Sequence, residues 1–155
     1  MNIKVSSIFK CTLEDVVREL KKPRLLLYVA GAFMRFVPED PVRFPENWLP
    51  GEYKVKMRLF RFIPFGSQSV VIQDETFDGR EYRIRDNGRG DFVRVWDHRI
   101  TARAVDDGGV LYSDEVLIRA GALTPLVFLF AALFYRYRQY RWKKLIRAGF
   151  DYKGA

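Results

Sequence analysis

The chain has one cysteine, Cys11, and one histidine, His98. A lone cysteine excludes an internal disulfide. One Cys and one His leave only carboxylates for metal chemistry, and none has the spacing of a zinc or calcium site, so no metal or other cofactor is expected. The first residues lack a basic leader followed by an apolar core and a cleavage site, which makes the cytoplasm the expected compartment. A long hydrophobic run is missing too: the apolar stretch over residues 120–135 is broken by Gly121, Thr124 and Pro125. Its uninterrupted part, residues 126–135, spans only about 15 Å as helix against a bilayer core of about 30 Å.

Acidic residues are scarce near the end of the chain. Residues 116–155 carry 8 basic and 1 acidic side chains, whereas residues 1–115 are nearly balanced at 19 and 18, so almost all of the +8 net charge lies in the last stretch. With 48% hydrophobic and 15% aromatic residues the chain is well able to fold, and 155 residues fit one domain spanning the whole sequence with a core large enough to leave a pocket.

Residues 2–10 alternate Ile3, Val5 and Ser7 against Lys4 and Ser6, as in a half-buried strand. Thr12 followed by Glu14 and Asp15 predicts the start of a short helix ending near Lys22 and Pro23. Residues 24–37 read as extended, and the four prolines of residues 38–50 as a surface loop pinned by Trp48. Five closely spaced strands follow in residues 52–120. The turns between them are expected at Pro64-Phe65-Gly66, Phe77-Asp78-Gly79, Asn87-Gly88-Arg89-Gly90 and Asp106-Asp107-Gly108-Gly109. The Gly88-Arg89-Gly90 element lacks a third glycine and a following helix, so it reads as a turn and not as a phosphate cradle.

Thr124 as N-cap, Pro125 at the first helical position and Gly149 just past the end predict a long helix over residues 124–148. Phe130, Phe134 or Leu133, Tyr137, then Tyr140 or Arg141 recur every three or four positions and mark its covered stripe. Its first three turns are apolar nearly all round. They need cover from sheet and loops, from a second copy in a homodimer, or from lipid. The basic residues of the last turns suit the helix dipole and can lie over neighbouring aromatics, so nucleic acid is not the expected partner.

A first strand, a small helical region, a run of antiparallel strands and one long final helix resemble the helix-grip fold of the START-related superfamily, in its bacterial SRPBCC, polyketide cyclase-like branch. FVRVWDHRI, VLYSDEVLIRAGALT and LFYRYRQYRWKKL carry the resemblance, with RLFRFIPFGSQ as a weaker match. It implies an α+β fold: a curved antiparallel sheet of about six or seven strands around the C-terminal helix, with a short helix after the first strand. It further implies an apolar cavity between sheet and helix for a hydrophobic small molecule or lipid, but no single activity, since one fold hosts many functions. The expected lining is Tyr53, Val55, Met57, Leu59, Trp96, His98, Tyr112, Phe130, Phe134, Tyr137 and Arg138.

Alternation puts Phe92, Arg94, Trp96, His98 and Ile100 on one strand face and Asp97 on the other. His98 alone titrates near neutrality unperturbed, which makes it the candidate acid/base of a cyclase or dehydratase that would use Arg138 or Tyr112 to orient a carbonyl. A packed, hydrogen-bonded sheet residue is its simpler role. Asp97 and Asp114 suit ion pairs with Arg58, Arg61 or Arg99. Arg138, flanked by Phe134 and Trp142 one turn away on each side, is drawn toward a covered surface and needs an anionic partner, either Asp97 or Asp114 or a ligand carboxylate. Cys11 reads as a small buried hydrophobe. A third reading is a peripheral protein that meets an anionic membrane surface through its basic helix.

Overall fold

The computed structural model describes all 155 residues, Met1–Ala155. Strand β1 (Asn2–Phe9) is followed by helices α1 (Leu13–Leu20) and α2 (Pro23–Ala30). Six strands come next: β2 (Met34–Asp40), β3 (Gly51–Leu59), β4 (Ile63–Phe77), β5 (Glu81–Gly90), β6 (Val95–Ala104) and β7 (Val110–Arg119), and the chain closes with α3 (Thr124–Arg147). All strands join one antiparallel sheet in the order β1-β7-β6-β5-β4-β3-β2, so a hairpin meander carries β1 on its β7 edge. Register shifts in β2/β3, β3/β4 and β4/β5 increase the local bend of that half of the sheet. This is the helix-grip α+β architecture.

Helix α1 starts as its sequence predicts, with the Thr12 hydroxyl accepting from Asp15 N at 3.1 Å. The extended conformation expected for residues 24–37 holds only from Met34. Residues 23–30 form a second helix instead, so two helices follow β1, not one. Pro23 occupies the first turn, where its missing N–H is no loss, and Leu25 and Val29 stack one turn apart on the buried side. Gly31 ends α2 at φ 50° and ψ −120°, a conformation open only to glycine, and its Cα lies against Tyr137 of α3. Trp48 does pin the loop before β3: its N–H donates to Lys21 O at 2.7 Å and its ring packs between Phe44 and Tyr53.

Two of the four expected turns lie elsewhere. The β3/β4 turn is made by Phe60 and Arg61, both with positive φ (49° and 72°), so Pro64, Phe65 and Gly66 already belong to β4. Gly88, Arg89 and Gly90 are strand, not turn. A Cβ on Gly90 would lie 2.8 Å from Ser67 O, so glycine serves close strand approach at that position.

Helix α3 ends in a Schellman motif. Gly149 has φ 60°, Phe150 N donates to Leu145 O at 2.9 Å, and Gly149 N donates to Ile146 O at 3.0 Å. Thr124 does not cap the helix. It is itself helical, and its hydroxyl donates to Gly121 O in the preceding 3-10 turn, Gly121–Leu123. The buried face consists of Val127, Ala131, Phe134, Tyr135, Arg138, Gln139, Trp142 and Leu145. The expected stripe is therefore rotated: Phe134 is on it, Phe130 and Tyr137 lie along its edge, and Leu133 and Tyr140 face out. No helix is long and apolar enough to cross a membrane.

The Gly31 contact supplies a test of how α2 is held on α3. In Gly31→Ala a Cβ would meet Tyr137 Oη at 2.5 Å in a backbone state closed to alanine. Denaturant melts should show a loss of roughly 2 kcal/mol or more. Adding Tyr137→Phe, which removes the nearest clashing atom, should recover part of it.

Candidate functional site

Between the sheet and α3, alternation along the strands sends a row of polar side chains inward. In β6, Trp96, His98 and Ile100 point to the helix and are buried; in β7, Tyr112 and Asp114 do so; in β5, Asp86 follows Tyr82 and Ile84 onto the same face. Asp86 pairs directly with His98 across the sheet, and Ile100 with Asp114, so His98 and Asp114 meet on the diagonal.

Helix α3 completes the cluster. His98 Nε2 lies 2.8 Å from Asp114 Oδ1, and the Tyr112 hydroxyl donates to the same oxygen at 3.0 Å. Gln139 Nε2 donates to Asp114 Oδ2 at 2.9 Å and to Val5 O at 2.8 Å, which ties helix, β7 and β1 together. Arg138 donates through Nη2 to Tyr112 Oη at 3.2 Å, with Nε 3.4 Å from Asp114 Oδ1 and unbonded. One further bond crosses the layer, from Trp96 Nε1 to the Tyr135 hydroxyl at 3.0 Å, and the Tyr135 ring rests on His98.

Charge in this layer is arranged unequally. Burial pushes the Asp114 carboxyl up, but the Arg138 charge, followed by His98 and Gln139, overcomes it and holds the group below the usual carboxylate range. Burial depresses His98 despite its bond to Asp114, so the imidazole is neutral at pH 7 and its Nε2–H donates to the carboxylate. Asp86 receives less help: its Oδ1 accepts from Val71 N at 2.8 Å, and burial raises it from 3.8 to about 7. A single guanidinium thus keeps one carboxylate ionised and leaves a second near half-protonation.

Two small cavities adjoin the cluster, of about 50 and 40 Å³. They share one wall, made of Leu26, Val70, Asp86, His98 and Arg138. The first extends under Leu25, Trp48 and Ile100, the second under Met34, Phe36, Met57, Trp96 and Phe134. Asp86 keeps part of its surface accessible to water along them. Each has room for a few waters.

Of the lining expected from the sequence, Met57, Trp96, His98, Phe134 and Arg138 line the cavities. The others lie elsewhere. Tyr53 bonds through its hydroxyl to the backbone of Leu49, Val55 is core, and Leu59 is half-buried at the end of β3. Tyr112 stacks on Phe9 and Trp142, while Phe130 and Tyr137 pack on Phe33. Sequence reasoning missed Asp86, Leu26 and Gln139. The signal for Asp86 was available, since Tyr82, Ile84 and Asp86 are alternate residues of one strand.

Asp114 is the partner that Arg138 requires. Asp97 faces the opposite side of the sheet, where Arg85 grips it at 2.8 and 3.0 Å and Arg99 adds a contact at 3.3 Å; Arg58 and Arg61 are not its partners. Phe92 and Arg94, expected on one strand face with Trp96, His98 and Ile100, precede β6 and are exposed; Val93 is buried instead. Cys11 is half-buried beside an open groove, and burial followed by Asp15 raises its thiol to about 11, so it stays protonated and unreactive at neutral pH.

No protein-family model and no curated protein matches the chain. Solved structures do. The chain is similar to the protein Ms6760 from Mycobacterium smegmatis, with a TM-score of 0.67 at 13% identity over 96% of this chain and 92% of that one. It is also similar to a START superfamily protein from Mycobacterium smegmatis, with a TM-score of 0.60 at 9% identity over 95% and 97% of the two chains. The AHSA1 protein from Silicibacter pomeroyi gives 0.59 at 12% identity over 96% and 99%. At these identities the likeness is one of fold: the sheet and helix arrangement is that of START-like helix-grip proteins.

The raised Asp86 carboxyl sets a pH dependence of stability. Its folded pKa of about 7 exceeds the unfolded 3.8, so its contribution is complete below about pH 4 and is lost as pH rises through 7. Asp86→Asn should flatten the stability profile between pH 4 and 8 and be more stable than the parent at pH 8, by roughly 1 to 3 kcal/mol. His98, with its depressed value, slopes the opposite way in both proteins and cancels in the difference. Equal slopes for parent and variant in denaturant melts would contradict the assignment.

Proposed function

We propose that the protein binds a small hydrophobic molecule between the sheet and α3, with a hydrogen-bonding or anionic head group held at Asp86, His98 and Arg138. The observation that carries this reading is the shared wall: two apolar cavities meet where the buried Arg138 guanidinium retains free hydrogen-bonding capacity. Arg138 uses one of its five N–H groups on Tyr112, and its Nε has no hydrogen-bond partner. A head-group oxygen there would satisfy donors already desolvated at the cost of folding. The START-like fold of the structural neighbours supports the same region.

Together the cavities are far below the roughly 300 Å³ of an ordinary ligand pocket. Binding therefore joins them and displaces side chains. Leu26 and Val70 are the apolar residues of the shared wall. Leu26 sits on the short helix α2, whose displacement costs less than that of a central strand.

A second reading is favoured by Asp86. A carboxyl near pH 7 beside a cavity can give and take a proton, which suits a cyclase or dehydratase step better than His98, whose imidazole is bonded to Asp114. On that reading Asp86→Asn abolishes turnover while affinity for the ligand persists.

Native mass spectrometry of the purified protein followed by organic extraction tests the binding reading. It should yield a reproducible hydrophobic ligand, or a mass shift with a panel of long-chain and aromatic carboxylates and ketones. Leu26→Trp, which fills the junction, should weaken retention roughly tenfold or more with an unchanged fold, whereas Leu26→Ala, which merges the cavities, should retain the ligand. An empty protein that takes up nothing from the panel would overturn the proposal.

A further inference from the structure

Three stretches without a single acidic residue, 24–38, 53–73 and 116–150, meet where Phe33, Phe60 and Phe130 pack together. At the β3/β4 turn, Phe60 N donates to Phe33 O at 2.8 Å, and the Phe60 ring lies 6.0 Å from Phe33 and 6.1 Å from Phe130 of α3. Around this contact, large apolar side chains stand in solvent: Phe62 is 71% exposed, Leu126 67%, Leu129 59% and Leu133 53%. The three leucines recur at helical spacing, so they form one stripe, which runs on into Arg136 and Tyr140. Single exposed leucines are ordinary, but a stripe beside an exposed aromatic hairpin tip is not.

The cations of this end have no counter-charges. Arg61 at the hairpin tip and Arg136 on the stripe form no salt bridge. The turn is strained as well: Phe60 and Arg61 both hold positive φ without being glycine, so the tip is fixed in a shape that projects Phe62.

We propose that this end is a docking surface for an anionic lipid bilayer, with Phe62, Leu126, Leu129 and Leu133 entering the boundary between head groups and acyl chains and Arg61 and Arg136 meeting lipid phosphates. The pattern is that of interfacial binding, in which apolar side chains enter the surface and a rim of basic ones reads its charge. A second copy is disfavoured as the occupant, because a symmetric interface would bring the same unpaired arginines together with no carboxylate among them. The surface is independent of the proposed ligand site: Phe33 and Phe130 lie between Phe60 and the cavity-lining Phe134.

The full-length protein should co-sediment with phosphatidylcholine vesicles containing phosphatidylserine, bind pure phosphatidylcholine far more weakly, and release as salt is raised. Phe62→Ser with Leu126→Ser changes two exposed positions, leaves the fold intact by circular dichroism, and should weaken binding at least roughly tenfold. Phe62→Trp should retain binding, with a blue shift of emission on vesicles that the parent lacks. The proposal is overturned by failure to bind phosphatidylserine vesicles, or by undiminished binding in the double variant. Dimerisation in analytical ultracentrifugation that the double variant abolishes would also overturn it, because a second copy would then cover the patch.

Discussion

Asp114 is a carboxylate with no solvent exposure, placed in the middle of β7, and the rest of the interlayer is arranged to keep its charge affordable. An unpaired charge at such a depth is prohibitive, and removing one partner from a buried pair typically costs about 3 to 5 kcal/mol. The partners come from three elements: His98 from β6, Tyr112 from β7, and Gln139 with Arg138 from α3. Because adjacent α3 residues reach the same carboxylate, the rotation and axial position of the helix on the sheet are fixed together. Hydrophobic contacts alone, from Phe134, Trp142 and Leu145, would tolerate small slips.

That arrangement accounts for the unequal treatment of two aspartates. The Arg138 charge lies 3.4 Å from Asp114, so Asp86, partly accessible in the same layer, has one backbone donor and only a distant share of the guanidinium. A group left in this condition is a cost to folding at neutral pH. Such costs concentrate where a site, rather than the fold, sets the residue. The two cavities are found at this point and not beside the tightly filled Phe9, Tyr112 and Trp142 cluster at the other end of α3.

Local chemistry made part of this legible in the sequence. Thr12, Pro125, Gly149 and the Asp-Gly turns act on the backbone beside them, and α1, the end of α3 and two hairpins fall where those residues put them. The need of Arg138 for an anion, from Asp97, Asp114 or a ligand carboxylate, was legible because Phe134 and Trp142 draw it toward a covered surface; the choice of Asp114 was not, since it depends on which strand face meets α3. Helix α2 was not, since Leu-Leu-Leu-Tyr-Val suits strand and helix equally and is decided by packing on α3 and by Gly31. The β3/β4 turn was hidden because Phe60 and Arg61 adopt a backbone state that their side chains disfavour. Asp86 was masked by the charges around it: in REYRIRDNGRG the outward arginines make the strand look solvated, although its alternate residues are buried. The rotation of the α3 stripe has a similar origin, because a helix apolar on nearly all sides does not declare which side meets the sheet.

The central claim is that the polar layer beside the cavities holds one ion pair, Arg138 with Asp114, and one carboxyl, Asp86, left poised for a ligand. Carboxyl-carbon NMR of the aspartates, titrated with and without the ligand recovered from the protein, addresses it directly. The account predicts an Asp86 midpoint near 7 in the empty protein that moves when the cavity fills, while Asp114 stays ionised throughout. An Asp86 midpoint in the ordinary acidic range, unchanged by ligand, would contradict it.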